Sequence, residues 1–216
     1  MHYFVITGGP LTSEASEIIN NGNIIVADAG IDYCIKHGIT PLLAVGDMDS
    51  VSPSGLEHIS RSGIPVKTYP IEKDMTDTEI ALSFVPADSS ITVVCPLNGR
   101  LDHIIANLQL AGSIHSRGTD IELNDGITQV RFLSGTETAT FDLNRWGDNS
   151  SVSLIPLNST DPVSGVSTEG LYYPLSNAQI EFGKTVSFSN KPVPGAKSFK
   201  VSIKDGLLAV IIGKAD

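Results

Sequence analysis

The chain has 216 residues, with 24 acidic against 14 basic side chains and a formal net charge of −10. Its length suits two domains of about 100 residues, and its acidity, without any basic run, argues against a nucleic acid partner and favours metal ions or cationic substrates. Neither a signal peptide nor an apolar run long enough for a transmembrane helix is evident, and Cys34 and Cys95 are expected to be buried thiols, so we expect a soluble cytoplasmic protein without a membrane partner.

Through residue 125, short apolar runs alternate with segments of helical periodicity. The predicted strands are HYFVI, NIIVA, LLAV, PVKTY, ITVVCPL and DIEL, and the predicted helices cover residues 11–20, 31–37, 53–61, 76–85 and 101–116. This alternation is typical of a mostly parallel sheet flanked by helices. Residues 1–125 are therefore predicted to form a Rossmann-like α/β domain.

After residue 125 the chain shows strand patterns without intervening helices. The predicted strands are QVRFLSG, TATFDLN, SVSLIPL, GLYYPL, AQIEFG, KTVSFSN and FKVSIKDGLLAVIIG. Asp205 and Gly206 in the last of these favour a tight turn, which predicts a hairpin. Residues 126–216 are therefore predicted to form an all-β domain of sandwich or barrel type.

Polar residues follow five of the six strands predicted in the first domain. They are Thr7, Gly8 and Gly9 after the first, Asp28 after the second, Asp47 and Asp49 after the third, Lys73, Asp74 and Asp77 after the fourth, and Arg100, Asp102 and His103 after the fifth. In an open parallel sheet, ligands bind beyond the carboxyl ends of the strands, so these residues are expected to share one rim.

Four of these residues, Asp47, Asp49, Asp74 and Asp77, would repel one another at one rim unless a cation lay between them. Oxygen ligands without cysteine or histidine favour Mg²⁺, which also binds substrate phosphates. Lys73 and Arg100 would add positive charge for phosphate oxygens. The pattern predicts a nucleotide polyphosphate site, although neither a P-loop nor a GxGxxG motif is present.

Each part of this rim also has a simpler explanation. The DMDS segment can be a turn with a helix N-cap, and TDTE from Thr76 can be a capping box. Arg100 and Asp102 can be a surface ion pair, and His103 can be a solvent-facing side chain. The glycine pair after the first strand can be an ordinary turn.

Three segments, ADAGIDYCIKHGITPLLAVGDMDSV, YPIEKDMTDTEIAL and NGRLDHIIANL, resemble the thiamine pyrophosphokinase family in their order and spacing. STEGLYYPL and SFSN resemble motifs of that family's C-terminal domain. The resemblance implies an α/β nucleotide-binding catalytic domain followed by a thiamine-binding β-sandwich, and a homodimer. It also implies Mg²⁺-dependent transfer of diphosphate from ATP to thiamine, giving thiamine diphosphate and AMP.

The resemblance also implies roles for individual residues. Asp47, Asp49, Asp74 and Asp77 would hold Mg²⁺, Lys73, Arg100 and Asp102 would lie beside the transferring groups, Thr7, Gly8, Gly9, Asp28 and His103 would border the nucleotide, and Tyr173, Ser189 and Asn190 would contact thiamine. The ring of Tyr173 would come from the partner subunit. Asp102 or a metal-side aspartate would take the alcohol proton. Two positions depart from the usual family pattern: Ala29 replaces a frequent glycine, and Tyr173 replaces the tryptophan of some members.

Two other functions remain open at the level of the sequence. The Asp-x-Asp-Ser segment also resembles the nucleophile motif of aspartate-dependent phosphatases, with Asp47 as nucleophile and Asp49 as acid and base. That motif normally follows the first strand of its fold, whereas two predicted strands precede it here. The chain can alternatively be a non-catalytic sensor that binds nucleotide or thiamine without turnover.

Overall fold

The computed structural model describes residues 1–20 and 22–215, except for the side chain of Asp148. Within it the chain forms two compact units. The first comprises Met1–Leu110 and Thr119–Gly126, and the second comprises Ala111–Gly118 and Ile127–Asp216. The domain boundary placed at residue 125 from the sequence stays a prediction. No helix in the described residues combines the length and hydrophobicity needed to cross a bilayer.

The first unit contains a six-stranded parallel sheet, which confirms all six strands predicted there. Its strands are β1 (His2–Ile6), β2 (Asn23–Ala27), β3 (Leu43–Gly46), β4 (Val66–Thr68), β5 (Ser90–Val94) and β6 (Ile121–Asn124), in the order β4-β3-β2-β1-β5-β6. The order reverses between β1 and β5. Such a topological switch point is where open α/β sheets bind ligands.

Helices α1 (Ala15–Ile18), α2 (Gly30–Lys36), α3 (Pro53–Ser62), α4 (Asp77–Ser83) and α5 (Leu101–His115) connect or follow these strands. Helix α3 begins after Ser52, whose hydroxyl accepts from the Gly55 N–H at 3.0 Å, and α4 begins after Thr76, whose hydroxyl accepts from the Glu79 N–H at 3.2 Å. Both are ordinary N-caps. The cap at Thr76 agrees with the capping explanation of TDTE, although the described residues show no reciprocal hydrogen bond from Glu79. The cap of α3 is Ser52, which lies after the DMDS segment, and within DMDS the Asp49 N–H donates to Asp47 Oδ1 at 3.1 Å, as expected of a turn.

The predicted helix at 11–20 is wrong in length, because only four of its residues are helical. The Ala15 N–H donates to the Thr12 hydroxyl at 3.2 Å, but the residue directly before the helix, Glu14, makes no side-chain cap hydrogen bond. At the other end the Ile19 backbone is already extended, with φ −81° and ψ 109°, and leads into β2. Helical periodicity alone does not predict the residues at which a helix begins and ends.

The second unit is an antiparallel β-sandwich, as predicted. Its strands are β7 (Gln129–Ser134), β8 (Glu137–Asp142), β9 (Ser150–Pro156), β10 (Val163–Glu169), β11 (Ala178–Ile180), β12 (Ser198–Ile203) and β13 (Leu207–Lys214). They are arranged in the orders β7-β13-β9 and β11-β10-β12-β8. Side chains from both layers, among them Leu133, Phe141, Val152 and Val201, share one buried core.

The predicted hairpin at Asp205 and Gly206 is wrong. Strand β12 pairs with β8 and β10, whereas β13 pairs with β7 and β9, so the turn carries the chain from one layer of the sandwich to the other. Gly206 has a φ of 106°, and the Ser164 N–H donates to the Asp205 carbonyl at 2.9 Å. Both strands bury alternate residues in the same core, which requires that they face each other from opposite layers.

Two further strand predictions, GLYYPL and KTVSFSN, are also wrong. Their only ladder contacts in the described residues are isolated bridges, Leu171 with Pro192 and Val152 with Asn190. Gly170 and Ser189 have positive φ values of 82° and 52°, which interrupt an extended backbone. Strand β10 lies immediately before the first of these segments and was not predicted.

Candidate active site

A cleft of about 720 Å³ lies at the carboxyl ends of the strands in the first unit, beside the switch between β1 and β5. Nine of the predicted site residues line it. They are Thr7, Gly8, Gly9, Asp28, Asp47, Lys73, Asp77, Arg100 and His103. The prediction that polar residues after separate strands share one rim is confirmed for this set.

Neighbouring strands β2 and β3 bring Asp28 and Asp47 together. The Asp28 N–H donates to the Val45 carbonyl at 2.8 Å, which extends the parallel ladder to the rim. Gly46, between Val45 and Asp47, has a φ of 144°, and a Cβ there would lie 3.3 Å from the Asp28 Cα. A glycine at this position therefore allows the two acidic residues to approach each other.

Asp28, Asp47 and Asp49 form a carboxylate cluster, in which one oxygen of each residue lies within 4.8 Å of the others. The Asp28 Oδ1 atom is buried and has no hydrogen-bond partner among the residues that the structure describes. Burial raises the pKa of Asp28, and the negative charges of Asp77 and Asp47 raise it further. Three convergent carboxylates with a buried oxygen lacking a partner fit a hard divalent cation such as Mg²⁺.

Asp47 is held ionised inside this cluster. Its Oδ1 accepts from the Asp49 N–H at 3.1 Å, and its Oδ2 accepts from Lys73 Nζ at 3.0 Å. These hydrogen bonds, the first more than the second, lower the pKa of Asp47. A permanently charged carboxylate between two neighbours is what a cation ligand requires.

The predicted metal ligands Asp74 and Asp77 lie outside this carboxylate cluster. Asp77 instead pairs with Lys73, with 3.2 Å between Asp77 Oδ1 and Lys73 Nζ. Asp74 is exposed and does not line the cleft. The metal set inferred from the sequence stays a prediction, and the geometry places Asp28 where Asp74 was expected.

Lys73 Nζ donates two hydrogen bonds within the described residues, and its contact with Asp77 Oδ1 is an ion pair without hydrogen-bond geometry. Besides its contacts with Asp47 and Asp77, Nζ donates to the Pro70 carbonyl at 3.1 Å, and only 13% of the side chain is exposed. Burial alone would lower the pKa of Lys73, but the interactions with Asp47 and Asp77 outweigh it and raise the pKa. Lys73 thus links the end of β3 to the start of α4.

Arg100 and Asp102 form an exposed bidentate ion pair at the start of α5. Arg100 Nη2 lies 2.6 Å from Asp102 Oδ2, and Nε lies 3.3 Å from Oδ1. The pair lowers the pKa of Asp102. Arg100 lines the cleft while Asp102 does not, and His103 lines it together with Asn107, one helical turn further on.

Several cleft residues were missed from the sequence. They are Ile71, Met75, Pro96, Asn98 and Asn107. The helical spacing from His103 identifies Asn107, and the position directly after β5 identifies Pro96 and Asn98. Ile71 and Met75 carry no comparable signal, because the segment between β4 and α4 has no periodicity.

In the second unit, the Asn190 side chain brings the three predicted thiamine contacts together. Its Oδ1 accepts from the Tyr173 N–H at 3.1 Å, and its Nδ2 donates to the Tyr173 carbonyl at 2.8 Å. Ser189 precedes it at positive φ, and its N–H donates to the Ser153 hydroxyl. Tyr173 is 64% exposed, so it does not belong to the sandwich core.

A switch-point cleft with a carboxylate cluster and basic side chains defines the class of this protein: an α/β enzyme that acts on phosphate groups, joined in one chain to a β-sandwich. Residues 15–123 match the family model described as "Thiamin pyrophosphokinase, catalytic domain", and residues 138–208 match "Thiamin pyrophosphokinase, vitamin B1 binding domain". The chain belongs to the thiamine pyrophosphokinase family.

Individual relatives agree with this assignment. The chain is 26% identical over 212 residues to the thiamine pyrophosphokinase of Bacillus subtilis, a match that covers 96% of each. The crystal structure of the thiamin pyrophosphokinase from Geobacillus thermodenitrificans is 28% identical, with a TM-score of 0.81, covering 100% of this chain and 98% of that one. The Bacillus subtilis crystal structure superposes over both whole chains with a TM-score of 0.85 at 23% identity, which shows the shared fold.

Proposed function

We propose that this protein transfers a diphosphate group from Mg²⁺-bound ATP to the hydroxyethyl oxygen of thiamine, giving thiamine diphosphate and AMP. Membership of the thiamine pyrophosphokinase family supports the reaction. The observation that carries the proposal for this chain is the carboxylate cluster of Asp28, Asp47 and Asp49 in the switch-point cleft. A polyphosphate can lie beside these acids only with a cation between them.

Asp28, Asp47 and Asp49 are the residues that we propose as Mg²⁺ ligands. Bound there, the ion would neutralise the triphosphate and hold its oxygens in place. Buried oxygens of both Asp28 and Asp77 lack a hydrogen-bond partner among the described residues, but only Asp28 lies in the carboxylate cluster, which supports its inclusion. Asp77 would act through Lys73, which it holds against Asp47, and Asp74 lies outside this set.

The phosphate chain itself would be held by main-chain and basic groups. The N–H groups of Gly8 and Gly9 make no hydrogen bond within residues 1–20 and 22–215 and are available to an anion. Lys73 and Arg100 line the same cleft and supply positive charge. Catalysis would then come mainly from positioning the thiamine oxygen in line with the departing AMP.

Asp102 is better suited to positioning than to proton transfer. Its bidentate pair with Arg100 lowers the pKa of the carboxyl and so weakens it as a base. We propose that Asp102 orients the Arg100 guanidinium. The proton acceptor is then to be sought among the other aspartates of the carboxylate cluster rather than at Asp47, whose pKa is also lowered.

Thiamine would bind against Tyr173, Ser189 and Asn190 of a partner subunit in a homodimer. The exposed Tyr173 ring, clamped at its backbone by Asn190, supports a role in stacking on the cationic thiazolium, worth about 0.5–2 kcal/mol. Charge also supports a cationic substrate, since residues 1–110 and 119–126 hold sixteen acidic and five basic side chains. His103 and Asn107 would border the nucleotide.

We propose a reducing, cytoplasmic compartment. Cys34 and Cys95 are both free and buried. Burial raises the pKa of each thiol to about 12, so neither is expected to act as a nucleophile or metal ligand.

A product assay tests the proposed function. Incubation with ATP, Mg²⁺ and thiamine is expected to release AMP rather than ADP, as separated by chromatography. The Asp47→Asn variant, with its circular dichroism spectrum unchanged, is expected to lose turnover by several orders of magnitude because a ligand charge is removed. Release of ADP, or near-normal turnover in the folded variant, would refute the proposal.

A further inference from the structure

Asn98 and Gly99 lie in the loop between β5 and α5 and line the cleft. Both residues are exposed, and Gly99 has a φ of 99°. Neither the Asn98 side-chain amide nor the Gly99 N–H makes a hydrogen bond in the part of the chain that the structure describes. Hydrogen bonds from these two groups therefore do not restrain the Asn98 side chain or the Gly99 nitrogen.

An unrestrained asparagine followed by glycine can react with its own backbone. The Gly99 nitrogen, after losing its proton to hydroxide, attacks the Asn98 Cγ; a nitrogen–carbon bond forms, the side-chain carbon–nitrogen bond breaks, and ammonia leaves. Water then opens the succinimide ring at either carbonyl and yields aspartate or isoaspartate. Gly99 has no side chain to block the attack, and the nearest atom to a Cβ placed there, Pro10 Cγ, is 4.0 Å away.

We propose that Asn98 is a site of spontaneous deamidation, and that this modification inactivates the enzyme as it ages. Aspartate at this position puts a new carboxylate in the cleft two residues before Arg100, whose guanidinium already pairs with Asp102. Isoaspartate also adds one carbon to the backbone directly before Gly99 and Arg100. Either product changes the charge or position of the cationic side of the cleft.

A second Asn-Gly pair in the chain provides an internal comparison. The Gly22 N–H donates to the Asn20 carbonyl at 2.7 Å, so its nitrogen is engaged. A Cβ at Gly22 would lie 2.6 Å from the Phe4 ring, which shows that this glycine is closely packed. Because the glycine nitrogen is the attacking atom in each dipeptide, and within the described residues that of Gly22 is hydrogen-bonded while that of Gly99 is not, we expect Asn98 to react faster than Asn21.

The test is incubation of the full chain at mildly alkaline pH, with peptide mapping by mass spectrometry at intervals. The peptide containing Asn98 is expected to convert to its aspartate and isoaspartate forms several-fold faster than the peptide containing Asn21. Equal rates, or faster conversion at Asn21, would overturn the assignment. This measurement does not depend on the proposed function.

A second experiment measures the enzymatic activity of Asn98 variants before and after the same incubation. Asn98→Gln keeps an amide but would have to form a larger ring to react, so it should deamidate more slowly. Under conditions in which the natural chain loses most of its activity, this variant is expected to keep most of its own starting activity. Freshly prepared Asn98→Asp is expected to resemble the aged protein, with circular dichroism confirming that both are folded. Conversion at Asn98 without loss of AMP release would overturn the functional part of the inference.

Discussion

The buried carboxyl of Asp28 makes the stability of the metal-free protein depend on pH. Burial raises the pKa of Asp28 in the folded state, so the folded chain holds this proton more tightly than the unfolded chain. Stability is therefore lost as pH rises from the unfolded-state pKa through the folded-state pKa, and the loss is complete above it. Above the folded-state pKa the ionised group is a cost that a bound cation would relieve.

We therefore expect Mg²⁺ to stabilise the protein at neutral pH without any nucleotide. At a metal concentration about 100 times the dissociation constant, the gain would be about 2.7 kcal/mol. The Asp28→Asn variant removes the buried charge, so it should melt at a higher temperature than the natural chain without metal and should not respond to Mg²⁺. Thermal unfolding followed by circular dichroism, with and without Mg²⁺, measures both effects.

Asp74→Asn is the matched control for this experiment, because Asp74 is exposed and lies outside the carboxylate cluster. It should keep the full Mg²⁺ response. A normal response in Asp28→Asn would remove Asp28 from the metal set. A lost response in Asp74→Asn would instead favour the ligands inferred from the sequence.

Lys73 is expected to stabilise the fold as well as the site. Lys73→Met keeps most of the side-chain length but leaves Asp47 and Asp77 without their shared cation, at a cost of about 1–3 kcal/mol. Urea unfolding gives the free energy. Arg61→Met removes an exposed pair with Glu57, whose side chains are 78% and 69% exposed, and should cost less than about 0.5 kcal/mol. Equal losses in the two variants would mean that the contacts of Lys73 contribute no more than a surface pair.

Among the elements, the turn between β12 and β13 depends on its glycine. Gly206→Ala places a Cβ 2.9 Å from Val163 Cα at a φ of 106°, so backbone must move and we expect a cost of about 2–4 kcal/mol. Gly183→Ala is the control, because its φ is 78° but its Cβ would meet nothing within 4 Å. That variant should lose about 1 kcal/mol. Similar midpoints in urea for the two variants would contradict the crowding at Val163.

The same turn shows what the sequence can and cannot predict about elements. Alternation of apolar residues correctly predicted β12 and β13 as strands, and Asp205-Gly206 correctly predicted a turn. The pairing was predicted wrongly, because a tight turn fixes only the local backbone. Which strand lies alongside which is decided by burial of Phe199, Val201 and Leu208 in a core that includes distant strands.

In the candidate site, too, some positions can be predicted from the sequence and others cannot. Asp28 and Asp47 follow neighbouring parallel strands, so their proximity follows once the strand order is known. The position of Asp74 does not follow from any pattern, because the segment after β4 has neither helical nor strand periodicity. The strand ends therefore predict which residues share the rim, whereas the positions of residues in the loop after the edge strand do not follow from the sequence.

For the whole molecule, the two sets of predicted ligand residues belong to different compact units. The carboxylate cluster lies in the first unit, and Tyr173, Ser189 and Asn190 lie in the second. If thiamine binds between subunits, as proposed, each site takes one set from each subunit of the dimer. In a shared site, a damaged unit of one chain can be complemented by the intact unit of its partner, which is impossible when each chain forms its own site.

An inactive variant and a weakened variant should then give more activity when combined than the average of the two. Asp47→Asn damages the first unit and Tyr173→Ala the second, so a heterodimer of the two carries one site with both changes and one site with neither. Random assortment, after co-expression or refolding of an equal mixture, should yield about a quarter of the natural activity at low thiamine concentration. Asp47→Asn combined with Asp77→Asn is the control, because both changes fall in the first unit and no heterodimer site is intact. Light scattering confirms the dimer in each mixture. Activity that stays at the average of the two Asp47→Asn and Tyr173→Ala homodimers would mean that each chain binds thiamine with its own residues alone.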